Sequence, residues 1–407
     1  KVSTMDRKLK IIANPTPLVR AERLSNELDI ELYIKRDDLA GPTFGGNKSR
    51  QLEYYFGEAL AEGADTILIT GAVQSNFARL AAAGAKSQGM DAIVQLEERV
   101  PGKSEIYRSS GNVLLSRLLG AEIMTYPAGE DEEGADAALH SKAEELRAAG
   151  RVPYVIHLSE GHPPLGAMGY VDAATEILKQ VCDFDVYVVA SGSGLTHAGL
   201  LAGLRGAGSS ASVLGSCVRR DAAAQWPRIR RVTDRLAKLY AGAAHVADED
   251  IIVWDGALAP GYGKLGPAAE TAMTRMARAE GLHLDPVYTA KSFAAVIAHG
   301  ESGAILRGSR VCFVRGSQES HDLFLPSLQQ VPGNHRNWTV SRRKDRVVIA
   351  DRVRHRTNGN TRHHRRFRAD EELRERIQHG AALPRSNEMQ DWQKCLALDH
   401  GAERVPL

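Results

Sequence analysis

From about position 30 to 315 the chain alternates short β-branched runs with longer amphipathic stretches, and glycines punctuate the changeovers. The runs predict strands at Leu32 to Lys35, Thr66 to Thr70, Ala92 to Leu96, Glu122 to Tyr126, Pro153 to Leu158, Val186 to Ala190, Val213 to Val218, Ile251 to Trp254 and Val311 to Val314. Between them apolar residues recur at helical spacing, as at Leu52, Tyr55, Phe56, Ala59 and Leu60, and again at Ala173, Ile177, Leu178 and Val181 after Gly166 and Gly169. Strand and helix alternating at this rhythm predict parallel βαβ units with helices on both faces of a sheet, an α/β fold. Ligands of such sheets sit at the carboxyl ends of the strands, so glycine-rich turns that follow a strand are where chemistry is expected. After Val314 the rhythm stops. The segment Ser317 to Arg368 offers one strand, Arg346 to Ala350, among Arg, His, Asn and Gln. With little apolar surface to repay its ordering entropy, that segment is expected to be disordered.

Composition alone adds only bounds. The 407 residues are 43% hydrophobic and 25% charged, which fits an enzyme-sized globular chain of two or three domains. Each apolar run is broken well before the roughly 18 residues that a membrane-spanning helix needs. Lys1 to Lys10 contain neither an apolar core nor a small-residue cleavage site, so a cytoplasmic protein is expected. Cys182, Cys217, Cys312 and Cys395 are scattered without CxxC spacing, which argues against a disulfide scaffold and a zinc knuckle; no metal is expected, and the first three cysteines read as small apolar filler.

Charge divides the chain in two. Residues 316–407 hold 17 of the 52 lysines and arginines but 12 of the 50 acidic residues, so that tail is net +5 and the rest is net −3. Arg336 to Arg368 contains eleven arginines and one lysine against two aspartates. Such a run can bind phosphates nonspecifically, which raises the alternative of a catalytically impaired paralogue with a basic, nucleic-acid-binding tail. No aromatic interleaving supports sequence reading, so nucleic acid is not the expected partner.

Four loops could carry chemistry. In Gly45-Gly46-Asn47-Lys48-Ser49-Arg50 the lysine opens a predicted helix, where the helix dipole and neighbouring cations can depress its pKa and favour the neutral amine that forms Schiff bases; the same residues also fit a glycine-rich turn with a solvated lysine. Ser191-Gly192-Ser193-Gly194-Leu195-Thr196-His197-Ala198-Gly199 lies between a strand and a helix and suits a phosphate ester, or is merely a tight turn. It lacks the P-loop lysine and fits GxGxxG poorly, which disfavours a nucleotide. Gly71 to Arg79 contains Gln74-Ser75-Asn76, whose serine and asparagine could be helix caps alone. Gly261-Tyr262-Gly263 and Asp285-Pro286-Val287-Tyr288-Thr289 place two tyrosines in loops, where half-buried packing is the commoner role.

Taken together, these loops resemble the D-cysteine desulfhydrase and 1-aminocyclopropane-1-carboxylate (ACC) deaminase family, which includes L-cysteate sulfo-lyase, within the tryptophan-synthase-like, fold type II enzymes that use pyridoxal 5'-phosphate (PLP). The resemblance spans about residues 14 to 314, through Pro15-Thr16-Pro17-Leu18, Lys35-Arg36-Asp37-Asp38, the GGNK segment, Gln74-Ser75-Asn76, Leu165-Gly166-Ala167-Met168-Gly169-Tyr170, the 191–199 loop and the two tyrosine loops. It implies two parallel-sheet αβα domains: a large PLP-binding domain of residues 1–50 and 163–315, a small domain of residues 51–162, and an atypical basic tail at 316–407. It also implies that Lys48 is the Schiff-base lysine and that the backbone of Gly192, Ser193, Gly194, Leu195 and Thr196 cups the phosphate. Asn76 would bond the phenolic oxygen, Ser75 the substrate carboxylate or a proton in transit, and Tyr262 and Tyr288 would flank the ring and the substrate amine. Thr289 would face the pyridine nitrogen and leave it unprotonated; ACC deaminases carry glutamate there, so threonine favours β-elimination over ring opening. The implied reaction converts D-cysteine to pyruvate, ammonia and sulfide, with cysteate sulfo-lyase and ACC deaminase as alternatives, in a homodimer.

Departures from the family pattern fall at Phe77, usually histidine or glutamine; at Ser159-Glu160-Gly161-His162, usually richer in glycine; and at Ala290, usually glycine. Beyond Val314 the family's His-Thr-Gly-Gly turn is replaced by Arg315-Gly316-Ser317-Gln318, which reads as a frame change or a fusion.

Overall fold

The computed structural model describes residues 7–181, 183–240 and 243–316, together with the backbone of 338–343 and 346–351. All nine predicted strands are present, and a tenth precedes them: β1 (Leu18–Arg20), β2 (Glu31–Lys35), β3 (Thr66–Ala72), β4 (Asp91–Glu97), β5 (Glu122–Tyr126), β6 (Pro153–Ile156), β7 (Val186–Ser191), β8 (Ser212–Cys217), β9 (Ile252–Trp254) and β10 (Arg310–Val314). They form two sheets. A six-stranded sheet has the order β1-β2-β10-β7-β8-β9 and a four-stranded sheet the order β5-β4-β3-β6. Every pairing is parallel except that of the edge strand β1 with β2.

Each central strand buries both faces, as parallel strands under helices must. In β3, Ile67 and Ile69 face one apolar cluster and Leu68 faces another. In β10, Cys312 and Val314 point to the first cluster while Val311 and Phe313 point to a third. That first cluster is continuous across both sheets, joining Leu52 and Phe56 to Val94, Tyr170 and Val213. Its bridging elements are the helices Asn47–Ala61 and Leu165–Gln180, which pack where small residues let backbones close: a Cβ on Gly169 would lie 2.1 Å from the Arg50 carbonyl oxygen. The carboxyl ends of β3 and β7 thus face a shared cleft.

Cys217 and Cys312 are buried free thiols, in keeping with apolar filler; Cys182 and Cys395 lie outside the described residues. Among the described residues no helix is long and apolar enough to cross a membrane. Residues 332–407 form a unit of their own, in which Arg346–Asp351 pairs antiparallel with Trp338–Arg343. The first of these was expected as a strand and the second was not. The disorder expected over Ser317 to Arg368 otherwise falls outside the described residues.

Candidate active site

The lysine is placed by a turn that only glycine tolerates. Gly45 (φ 61°) and Gly46 (φ 134°) lead into the helix Asn47–Ala61, and a Cβ on Gly45 would sit 2.2 Å from the Asp38 carbonyl oxygen. Lys48 therefore emerges in the first helical turn, half-buried, lining the cleft. Its Nζ lies 3.4 Å from Gln51 Oε1 and 5.3 Å from the centre of the Phe77 ring. Its pKa falls to about 8, and the cause is desolvation by the surrounding protein rather than the neighbouring cations expected from the sequence.

Two residues further on, Arg50 bolts this helix down. It donates to both carboxylate oxygens of Asp37 (2.9 and 2.8 Å) and to both of Glu176 (2.9 and 2.8 Å). Tyr170 and Thr16 also donate to Asp37, and Lys35 donates to Glu176. Burial acts to raise the Asp37 pKa, but the Arg50 charge and hydrogen bonds outweigh it and hold the group below its ordinary value. The Thr16, Lys35 and Asp37 of the quoted motifs are thus structural partners of the lysine helix.

Opposite Lys48, β7 ends at Ser191 and the helix Leu195–Gly206 begins after Gly194, whose φ of 95° few other residues adopt. Arg228 Nε donates to the Ser193 carbonyl (2.8 Å) and Gln225 Nε2 to that of Gly192 (3.1 Å), which turns these oxygens outward and leaves the loop amides to the cleft. Thr196 Oγ1 accepts from Asn47 Nδ2 (2.9 Å) and Gln51 Nε2 (3.0 Å). With both lone pairs engaged, the Thr196 hydroxyl keeps its proton to donate. Gly192, Ser193, Gly194 and Thr196 line the cleft; Leu195 does not.

The third wall comes from the end of β3. Ser75 caps the helix Asn76–Ser87 by accepting from Ala78 N–H (3.1 Å) and also lines the cleft. Asn76 Oδ1 accepts from Asn112 Nδ2 (2.9 Å) and Arg79 Nη2 (3.4 Å), which fixes the orientation of its amide. Its Nδ2 is buried without a partner, a donor facing the cleft. Gln74 is not in the cleft; it bonds the Tyr107 and Ser110 carbonyls and the Asn112 N–H, and so holds the loop.

The fourth wall holds the tyrosines. The Tyr262 and Tyr288 hydroxyls are 2.5 Å apart, and both residues line the cleft with Thr289. The Thr289 hydroxyl accepts from the Asp285 N–H (2.7 Å) and donates to the Asp285 carboxylate. Asp285 is fully buried, which raises its pKa, and it also accepts from the Val287, Tyr288 and Thr289 amides.

Sequence reasoning missed Arg99, Glu132 and Arg219, which also line the cleft. Arg219 Nη1 donates to Glu132 (2.6 Å); burial acts to raise Glu132, but Arg228, Arg220 and Arg219 bring its pKa down to about 2. Arg99 and Arg219 follow the ends of β4 and β8 by two residues, so the strand-end rule would have found them; Glu132 left no local signal.

A group carrying a phosphate ester, a phenolic oxygen and an aldehyde needs an anion cradle, a donor and an amine. The amides of the 192–196 loop, the unpartnered Asn76 Nδ2 and Lys48 supply these, so the residues fit PLP.

Comparison with known proteins agrees. Residues 10–315 match the family model of the pyridoxal-phosphate dependent enzymes. The chain is 42% identical over 293 residues to a D-cysteine desulfhydrase of Salmonella choleraesuis strain SC-B67, and 41% identical to that of Salmonella typhi, covering 71% of this chain and 87% of each relative. Among solved structures an ACC deaminase homologue is 34% identical with a TM-score of 0.68, covering 78% of this chain and 95% of its own. An O-ureido-L-serine synthase, 18% identical with a TM-score of 0.57, covers 82% and 98% and shares the fold. The match runs from before the lysine helix to the end of β10 and takes in every wall of the cleft, and the chain belongs to the PLP-dependent, fold type II enzymes of the D-cysteine desulfhydrase and ACC deaminase family.

Proposed function

We propose that this PLP-dependent β-eliminating lyase takes D-cysteine and releases pyruvate, ammonia and sulfide. The observation that carries the reading is the convergence on one cleft of the Lys48 amine, the unpartnered Asn76 donor and the 192–196 cradle, each from a different element. The D-cysteine desulfhydrases named above support the substrate, as does Thr289, a neutral hydroxyl where ACC deaminases carry glutamate.

When bound, PLP supplies the electron sink that makes a Cα proton removable. Lys48 holds the cofactor and, once free, its amine with a pKa of about 8 takes the Cα proton near neutral pH. Asn76 donates to the phenolic oxygen, while the 192–196 amides and the Thr196 hydroxyl hold the phosphate. Ser75, at the head of the helix Asn76–Ser87, positions the substrate carboxylate. The paired Tyr262 and Tyr288 hydroxyls flank the substrate and pass a proton to the departing sulfur. Elimination breaks the Cα–H and Cβ–S bonds and forms a carbon–carbon double bond; water then releases ammonia and pyruvate.

The reading includes a large domain of residues 1–50 and 163–315 and a small domain of residues 51–162. It is supported by the placing of β3 to β6 within the latter span. It also includes a cytoplasmic homodimer, supported by the family resemblance.

One experiment tests the chemistry and the substrate together. Borohydride reduction of the PLP-loaded protein is expected to fix the cofactor on Lys48, and a label on Lys291 overturns the site. Sulfide release from D-cysteine is expected well above 2-oxobutanoate release from ACC; comparable ACC turnover, or sulfite from L-cysteate in preference to sulfide from D-cysteine, overturns the substrate.

A further inference from the structure

Outside the cleft, on the far side of the 192–196 loop, three histidines meet. The helix Glu132–Ala148 presents Asp136 and His140 one turn apart on one face. The chain leaving β6 brings His157 and then His162 against them. His140 Nε2 and His157 Nε2 are 2.9 Å apart, and the His157 and His162 rings stack with centres 3.4 Å apart and planes 9° from parallel. One ring nitrogen of each histidine lies within 4.8 Å of the others, and among the described residues no other group of three or more such ligands converges in this way.

A fourth group is independent of the three. Asp136 is 4% exposed; its Oδ2 accepts from the Ser159 N–H (3.2 Å) and lies 3.9 Å from His162 Nε2, while its Oδ1 is buried with no partner. A buried carboxylate oxygen without a donor is costly unless something positive meets it. Asp136, His140 and His162 line one solvent-facing depression, which gives an ion its way in.

We propose that His140, His157, His162 and Asp136 form a binding site for a divalent cation of the zinc class. Three converging imidazole nitrogens, with the Asp136 carboxylate beside His162, make a set that suits zinc, cobalt or nickel and disfavours magnesium or calcium, which take oxygen ligands. The ion completes the Asp136 oxygen and replaces the His140–His157 contact. His162 turns out of the stack to converge on it, which its half-buried position allows. None of the four residues lines the PLP cleft. The same loop carries Glu160, which accepts from Arg228 (3.0 Å), the residue that holds the Ser193 carbonyl outward; the cation thus pins the loop behind the cradle.

The test uses the PLP-loaded full chain equilibrated with zinc sulfate, freed of excess by gel filtration and assayed for metal by mass spectrometry. One zinc per chain is expected, with a rise in Tm on zinc addition. The double variant His140→Gln, His162→Gln is expected to bind zinc at least about 10-fold more weakly and Asp136→Asn about 10-fold or more weakly, with the zinc-dependent rise in Tm lost. Retained cofactor absorbance in the variants shows that they fold. Cobalt substitution gives a second readout, since a four-coordinate site yields strong visible bands that a solvated ion does not. No zinc retained by the native chain, or zinc retained equally by the double variant, overturns the proposal.

Discussion

Burial lowers Lys48 and Lys291 alike to about 8, so acidity does not mark the reactive amine; what differs is where their protons go. Lys291 Nζ is held by the Leu258 and Gly261 carbonyls at 3.0 and 2.7 Å and ties down the tyrosine loop, while Lys48 has a long contact to Gln51, lies over the Phe77 ring and opens on the cleft. Capture of PLP by the apoprotein should therefore rise with pH through about 8 and level off about one unit above it, and Lys48→Ala should abolish it; stopped-flow absorbance checks both. Asn76→Ala removes an unpartnered donor from the cleft, a loss of about 1 to 2 kcal/mol, or roughly 5- to 30-fold in PLP affinity by titration. Lys48 and the glycines were legible in the sequence because their chemistry is local. The donor of Asn76 is not local in that sense, since its direction is set by Asn112, which lies 36 positions away.

At the scale of elements, alternation of β-branched runs with helical stretches located nine strands to within a residue or two at most ends. It missed β1, which is three residues long and mostly exposed at a sheet edge, where no apolar run is needed. Strand order was not legible, because β10 inserts between β2 and β7 and pairs Val311 with Leu32 and with Val186, partners that share no local pattern. The polar bolt under the lysine helix was read from the sequence as motif and not as contact. Arg50 is 4% exposed and serves two carboxylates, so Arg50→Met leaves Asp37 charged and buried; a loss of about 3 to 5 kcal/mol is expected in urea unfolding. Asp37 and Glu176 are both held below their ordinary pKa values. Their contribution to stability is therefore complete above those values and is lost as pH falls through the lower, folded ones. Acid unfolding should set in below about pH 4 in the native chain, and Arg50→Met should flatten that dependence.

For the whole molecule, what matters is how the chain after β10 meets the lysine helix. The shift in charge at residue 316 and the loss of family resemblance after Val314 both suggested a break at the last strand, with β10 lacking its turn. Two described residues lie past that point, and both are engaged. Arg315 is 2% exposed, bonds Asp38 and donates to the His283 carbonyl at 2.6 Å. The Gly316 carbonyl accepts from the Asn47 N–H, the first amide of the lysine helix, and Gly316 lines the cleft. Arg315 and Gly316 thus tie the end of β10 to Asp38 and to the start of the lysine helix. Two truncations separate this from the tail. A chain ending at Gly316 keeps these contacts, whereas one ending at Val314 leaves Asp38 with Arg36 as its remaining ion pair and an unpaired amide at Asn47. The shorter chain should be less stable than the longer by about 1 to 3 kcal/mol, and it should bind PLP more weakly because the lysine helix loses its first anchor. Thermal unfolding and PLP titration of the two chains side by side measure the difference directly, and equal stability and equal affinity would show that Arg315 and Gly316 do not hold the lysine helix.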